Sequence, residues 1–246
     1  MLFTVLGTSG GYPPPGSACS GYLVEEDDSR VWIDAGSGTF PRLLEHCSPD
    51  ELTAILISHL HADHWTDLVL GLHALRFAFE PERPLPVYGP AGWVDAMGVV
   101  ADWAVEDEPA FEAREVREGE TIEVGPLKIV PIPVEHTPDL DTYGFRILNG
   151  DCSIAYSADS GPCDALLELA RGVDLFVCEA GSPGEQEMEM HLNGRQAGEV
   201  AARAGARRLL VTHLAPGTDA NETLAHARSS FGGPVELAAE GLSVEL

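Results

Sequence analysis

Apolar positions along the chain fall into short unbroken runs and into stripes of helical period, and the two kinds alternate. LFTVLG near the start, then YLVEE and RVWIDAG on either side of a turn at Asp27 to Ser29, predict strands, and a short helix containing Leu43 and Leu44 follows. Thr53 to Ser58 predicts a buried strand, Asp67 to Phe79 an amphipathic helix, Pro86 to Tyr88 a strand and Ala91 to Val105 another helix. The second half repeats the plan, with strands at Thr121 to Val124, Leu127 to Val134, Tyr143 to Leu148 and Ser153 to Ser157, then a helix at Cys163 to Ala170. VDLFVCEA, a helix at Arg195 to Ala204, RLLVTH, a helix at Glu222 to Ser230 and strands near Val235 to Leu237 and Leu242 to Leu246 complete the pattern. Near-continuous apolar strands need cover on both faces. The pattern predicts a layered α/β molecule, a requirement that two sheets packed face to face with helices outside would satisfy, and 246 residues with 44% hydrophobic content suit one domain spanning 1–246.

Directly after the run from Thr53 to Ile57 comes SHLHADHW, which places His59, His61, Asp63 and His64 within six positions. Two histidines alone would fit an ordinary polar loop. Four nitrogen and oxygen donors in this HxHxDH order after a hydrophobic strand point to zinc or manganese. The spacings differ from the i, i+4 pair of HExxH metalloproteases, so the pattern reads as a loop rather than a helix face. His59 and His61, two apart, can reach one ion while Asp63 and His64 hold another.

Further candidates follow, each near the end of an apolar segment: His136 in PVEHTPDLDTYGFRI, Asp159 in AYSADSG and His213 in LLVTHLAP. Alone, each would read as an ordinary histidine or as a helix cap. With HxHxDH and in this order they resemble the metallo-β-lactamase superfamily of metallohydrolases, and the resemblance covers nearly the whole chain. It implies an αββα sandwich of two mixed sheets with helices outside and the ligand loops at one edge. It also implies two divalent ions, zinc first and manganese second. One would take His59, His61 and His136, the other Asp63, His64 and His213, with Asp159 bridging. His46, His73 and His226 lie in stretches that read as helices and stay outside the site.

Two segments narrow the resemblance. LGTSGGYPPPGSACSGYLV and CEAGSPGEQEMEMHLNGRQAGEVAARAGARRLLVTH resemble ribonuclease Z-like members, in which the position of His191, in HLNG, carries an extra active-site histidine. The resemblance makes His191 the proton donor to the leaving oxygen, with Asp63 orienting the nucleophile as well as ligating. Asp34 and Glu179 are candidates to orient ligand histidines. The chain departs from tRNA-processing ribonuclease Z in one respect: only 23 positions separate His136 from Asp159, which leaves no room for the long arm that grips tRNA. The short-form relatives, and the atypical cyclic AMP phosphodiesterases that the HLNG and YGFR segments resemble, point instead to a small phosphodiester.

Charge agrees. Forty acidic residues against fourteen basic give a formal net charge of −26, and Lys128 is the single lysine. Two divalent ions would offset only part of it, and a long polyanion would still be repelled. Five scattered cysteines without a CxxC predict free thiols in a reducing compartment, with Cys163 as a small buried apolar residue. Together with the absence of a membrane-length apolar stretch and of an export signal after Met1, this predicts a cytoplasmic protein without membrane contact. The family resemblance adds a homodimer. Rival readings are a ribonuclease Z-like tRNA endonuclease, a lactonase or thioesterase on the same ligands, and a binding module without catalysis. A redox di-iron protein is disfavoured by Ala62 within the motif and by the lack of a flavin domain.

Overall fold

Along β3 (Ser29–Ile33) the side chains of Val31 and Ile33 point one way and that of Trp32 the other, and all three are fully buried. A strand segment with cover on both faces has no polar side to alternate with, which is why Val31, Trp32 and Ile33 are apolar without a break. The same logic recurs through the computed structural model, which describes residues 1–79, 83–101 and 110–246.

Two seven-stranded mixed sheets form the centre. The first runs β14 (Ser243–Glu245), β1 (Leu2–Gly7), β2 (Gly21–Glu26), β3, β4 (Ala54–Leu56), β5 (Leu85–Gly89) and β6 (Phe111–Glu115). Across the second the order is β13 (Val235–Leu237), β12 (Leu209–Thr212), β11 (Leu175–Glu179), β10 (Cys152–Tyr156), β9 (Tyr143–Asn149), β8 (Leu127–Pro133) and β7 (Ile122–Val124). Each half of the chain opens with an antiparallel meander, β1 to β3 and then β7 to β10. Each continues with parallel crossovers, β3 to β6 and then β10 to β13. The repeat of plan expected from the apolar pattern is thus a repeat of topology.

Three apolar layers hold the sandwich. Between the sheets, Phe3, Val31, Ile33 and Leu56 meet Leu127, Phe145, Ile154 and Val177. Outside the first sheet, Trp32, Ile55 and Ile57 pack with residues of α1 (Thr39–Leu43), α2 (Ala62–Trp65), α3 (Leu68–Phe77) and α4 (Trp93–Ala101). Outside the second, Phe176 and Cys178 pack with α5 (Ala165–Leu169), α6 (Gly194–Ala204) and α7 (Ala220–Phe231). Helix, sheet, sheet, helix is the αββα order. Among the described residues no helix is long and apolar enough to cross a membrane.

Several local expectations change. HxHxDH is not all loop: Asp63 and His64 lie in a single helical turn, Ala62–Trp65, too short to leave a period in the sequence. The edge strand β6 went unforeseen because only Phe111 of FEARE is buried. His46 sits in the turn beyond the short helix Thr39–Leu43, its N–H donating to Leu43 O, rather than in a helix. The helix at Cys163 to Ala170 shortens to Ala165–Leu169, and Cys163 is half-buried, its Sγ 3.5 Å from Ser160 Oγ. The helix at Ala91 to Val105 begins at Trp93, and its positions 102–105 lie outside the described residues.

What this architecture positions is one rim. β3, β4, β8, β10 and β12 all end there, followed by Asp34, the 58–65 segment, His136, Asp159 and His213 respectively, and β11 ends there on Glu179 itself. Side chains leaving the ends of rigid strands are held by the whole sandwich.

Candidate metal centre

The seven residues expected as ligands converge in two groups. His59, His61, His136 and Asp159 form one, and Asp63, His64, Asp159 and His213 the other, with one donor atom from each lying within 4.8 Å of the rest of its group. Asp159 belongs to both. In the first group His61 Nδ1 stands 3.2 Å from His59 Nε2 and 2.9 Å from His136 Nε2. In the second, Asp159 Oδ1 is 3.2 Å from His64 Nε2 and Asp159 Oδ2 is 3.1 Å from His213 Nε2. Asp63 Oδ2 lies 3.7 Å and 3.8 Å from the same two nitrogens.

An outer ring of hydrogen bonds sets the tautomers. His136 Nδ1 donates to Met190 O at 2.8 Å, so its Nε2 presents a lone pair to the cluster. His64 Nδ1 donates to Asp34 Oδ2 at 2.7 Å. Ser58 Oγ gives its proton to that same oxygen at 2.8 Å and is therefore an acceptor for His59 Nδ1 at 3.0 Å. Tyr156 O–H, from the second sheet, also donates to Asp34 Oδ2 at 2.7 Å. Asp34 thus fixes two of the inner imidazoles, one directly and one through Ser58. On the other side His213 Nδ1 lies 2.8 Å from Ser20 Oγ. Asp34, expected to orient a clustered histidine, does so; Glu179 orients His191 instead, with Oε1 3.0 Å from its Nδ1. Ser160 and Gly181 N–H groups hold that carboxylate at 2.9 and 2.7 Å. His191 lies between the clusters, edge-on to His136 with ring centroids 5.0 Å apart and stacked on His213 at 5.8 Å.

Inward lone pairs with too few protons between them need a cation. His59 Nε2, His61 Nδ1 and His136 Nε2 crowd together, yet His61 can offer at most one proton toward the other two. Among the described residues, His64 Nε2 and Asp159 Oδ1 are buried with no well-aligned hydrogen-bond partner, although only 3.2 Å apart, and such orphans are rare unless something charged completes them. Burial pulls His59, His61 and His136 down, keeping them in the neutral form that ligates. For His64 burial acts the same way, but the Asp159 and Asp34 carboxylates outweigh it and raise the group well above the usual imidazole range. Asp159 is the mirror case: burial would raise it, and His213 and His64 hold it well below the usual carboxylate range. This is a field that attracts positive charge, and the donor set fits divalent metal ions.

Backbone geometry around the cluster is unusual. Asp34, Ala158 and His213 adopt positive φ of 54, 53 and 56° without being glycine, conformations of a kind that the surrounding fold has to enforce. The glycine-rich stretch after β1 also belongs here. Gly11 N–H donates to Asp63 Oδ2 at 2.6 Å, and a Cβ on Gly10 would stand 2.8 Å from His213 Nε2. Ser20, Ser58, Tyr156 and Gly11 were not foreseen as parts of the site. For Ser58 the signal was adjacency to His59; nothing in the chain links Ser20 to His213, 193 positions away.

Comparison with known proteins agrees with the geometry. The sequence pattern of the family described as Beta-lactamase superfamily domain matches residues 29–214. The chain belongs to the β-lactamase superfamily. Its superfamily relatives include an uncharacterized protein of Mycobacterium tuberculosis, 39% identical over 96% of this chain and 88% of its own. The probable metallo-hydrolase YhfI of Bacillus subtilis is 29% identical over 98% of both chains. A crystal structure of YhfI, a metallo-β-lactamase fold protein, covers 99% of each chain with a TM-score of 0.90. Ribonuclease Z of Myxococcus xanthus is 26% identical over 100% of this chain and 98% of its own. The protein is a metallo-hydrolase of the β-lactamase fold, related to ribonuclease Z.

Proposed function

We propose that this metallo-hydrolase cleaves small phosphodiesters, cyclic nucleotides among them, with two divalent ions, zinc or else manganese. His59, His61 and His136 would hold one ion, Asp63, His64 and His213 the other, with Asp159 shared. The observation that carries the reading is this shared carboxylate between two imidazole sets, with a carboxylate-held His191 beside them. When bound, such a pair of ions lowers the pKa of water toward about 7 and offsets charge growing on phosphoryl oxygens.

The chain's own groups supply the rest. Asp63, fixed by the Gly11 N–H, orients the attacking water. His191, with Nδ1 held by Glu179, gives a proton to the departing oxygen, an effect typically worth about 10²- to 10⁴-fold. Long nucleic acid is disfavoured by the net charge of −26. The match to ribonuclease Z also runs over 303 positions, 57 more than the 246 residues present here, so a substantial part of that protein has no counterpart.

Elemental analysis of reconstituted protein, followed by one assay set on cyclic AMP, cyclic GMP, bis(p-nitrophenyl) phosphate, a lactone and a precursor tRNA, tests the proposal. We expect two ions per chain, turnover of the small diesters and little of the tRNA. Fastest turnover of the lactone would overturn it. His191→Ala should keep both ions and lose most activity on poor leaving groups, while the nitrophenyl diester, whose leaving group needs no proton, suffers less. Loss of an ion would make His191 a ligand instead.

A further inference from the structure

Two cavities open beside the histidine cluster, and they differ in charge. One, of about 680 Å³, is lined by His136 with Glu135, Glu187 and Glu189. The other, of about 510 Å³, is lined by His191 and His213 with Tyr12, Gln186, Met188 and Pro216, and among the described residues no acidic or basic side chain other than the two histidines lines it. Volumes of this size suit a small molecule, and an apolar wall with a few polar groups is the usual lining of such a site.

Tyr12 stands out in the second cavity. It is 63% exposed, so the fold does not need its ring for packing. The loop that carries it is nevertheless tied to the cluster: Tyr12 N–H donates to Gly10 O at 2.9 Å, Gly11 turns the chain at φ 73°, and the Gly11 N–H holds Asp63 Oδ2. A large ring is thus presented next to the reacting centre from an anchored turn. His191 fixes which part of a substrate lies there. A proton donor has to stand within about 2.6 to 3.2 Å of the oxygen it serves, so the departing group occupies the cavity that His191 lines.

We infer that this carboxylate-free cavity receives the departing group of the substrate as a flat, neutral heteroaromatic moiety, a nucleobase with its sugar, stacked on the ring of Tyr12. The inference rests on the phosphodiester reading above. In the hydrolysis the water oxygen bonds to phosphorus, the bond from phosphorus to the departing oxygen breaks, and the proton of His191 goes to that oxygen. The attacking water's proton passes to solvent, which reprotonates His191. Anionic extensions of the substrate meet Glu135, Glu187 and Glu189 in the neighbouring cavity and are rejected there.

Adenosine, which contains no phosphodiester, probes the cavity apart from the chemistry. With metal-reconstituted full-length protein, binding of adenosine and of ribose is compared by saturation-transfer NMR for the native chain, Tyr12→Ala and Tyr12→Phe, with circular dichroism confirming the fold of each. We expect adenosine to bind better than ribose, Tyr12→Ala to weaken adenosine about tenfold, the usual scale for one lost base stack, and Tyr12→Phe to retain it. With cyclic AMP, Tyr12→Ala should raise KM about tenfold and change kcat less. Failure of the native chain to bind adenosine, or equal binding by Tyr12→Ala, overturns the inference even if phosphodiesters are hydrolysed. Tyr12-dependent binding of adenosine without hydrolysis of any phosphodiester upholds the cavity assignment and overturns the proposed reaction instead.

Discussion

Four of the seven clustered side chains, His59, His61, Asp63 and His64, come from six consecutive positions beyond β4, whereas His136, Asp159 and His213 each follow a different strand of the second sheet. The first half therefore delivers its donors as one piece, arranged by a short loop and a single helical turn. In the second half each donor depends on the register of β8, β10 and β12, and its position exists only once the sheet is assembled. The halves also differ in their buried carboxylates. Asp34, after β3, receives Ser58, His64 and Tyr156 and so supports the clustered imidazoles, while Glu179, ending β11, supports His191.

The largest effect should come from the residue that joins the two groups. Asp159→Asn is expected to lower metal content below two per chain and kcat/KM by about a thousandfold or more, the scale of several kcal/mol of lost charge stabilisation; two retained ions with an undiminished rate would break the picture. Chelation comes next. Metal at a hundredfold excess over its dissociation constant stabilises by about 2.7 kcal/mol, so its removal should lower the melting temperature by roughly 5 to 10 °C for a chain of this size. Hydrogen exchange should then rise more at the ends of β8, β10 and β12 than within residues 59 to 64; uniform loosening would erase the contrast between halves. Smaller still is the exchange of carboxylates: Asp34→Asn should weaken metal binding about 10- to 100-fold, whereas Glu179→Gln should leave metal content intact and lower kcat on poor leaving groups. Equal metal loss from both would show that the two play one role. Tyr156→Phe, which removes a single donor to Asp34, should cost about 1 kcal/mol in denaturant unfolding, and an unchanged midpoint would mean that this hydrogen bond contributes nothing.

The same contrast explains what could be read from the chain. HxHxDH was legible because its donors are neighbours in sequence, and the strands because burial on both faces leaves runs such as VWI and LFVC. His136, Asp159 and His213 carry no local signature, and it was the order of motifs shared with a family that picked them out. β6 escaped because an edge strand with one buried side chain has no apolar run, and the helical turn at Ala62–Trp65 because four residues are too few for a period. The part of Ser20, and the choice between Asp34 and Glu179 as support for the cluster, were set by contacts between distant strands. No spacing records those.

A phenol from one layer and an imidazole from the other meet on a single oxygen of Asp34. That atom acts as a rivet through the sandwich. Slippage of one layer past the other by as little as an ångström would part the phenol from the rivet and free the imidazole to turn, so reactivity should fade on warming before the strands themselves come undone.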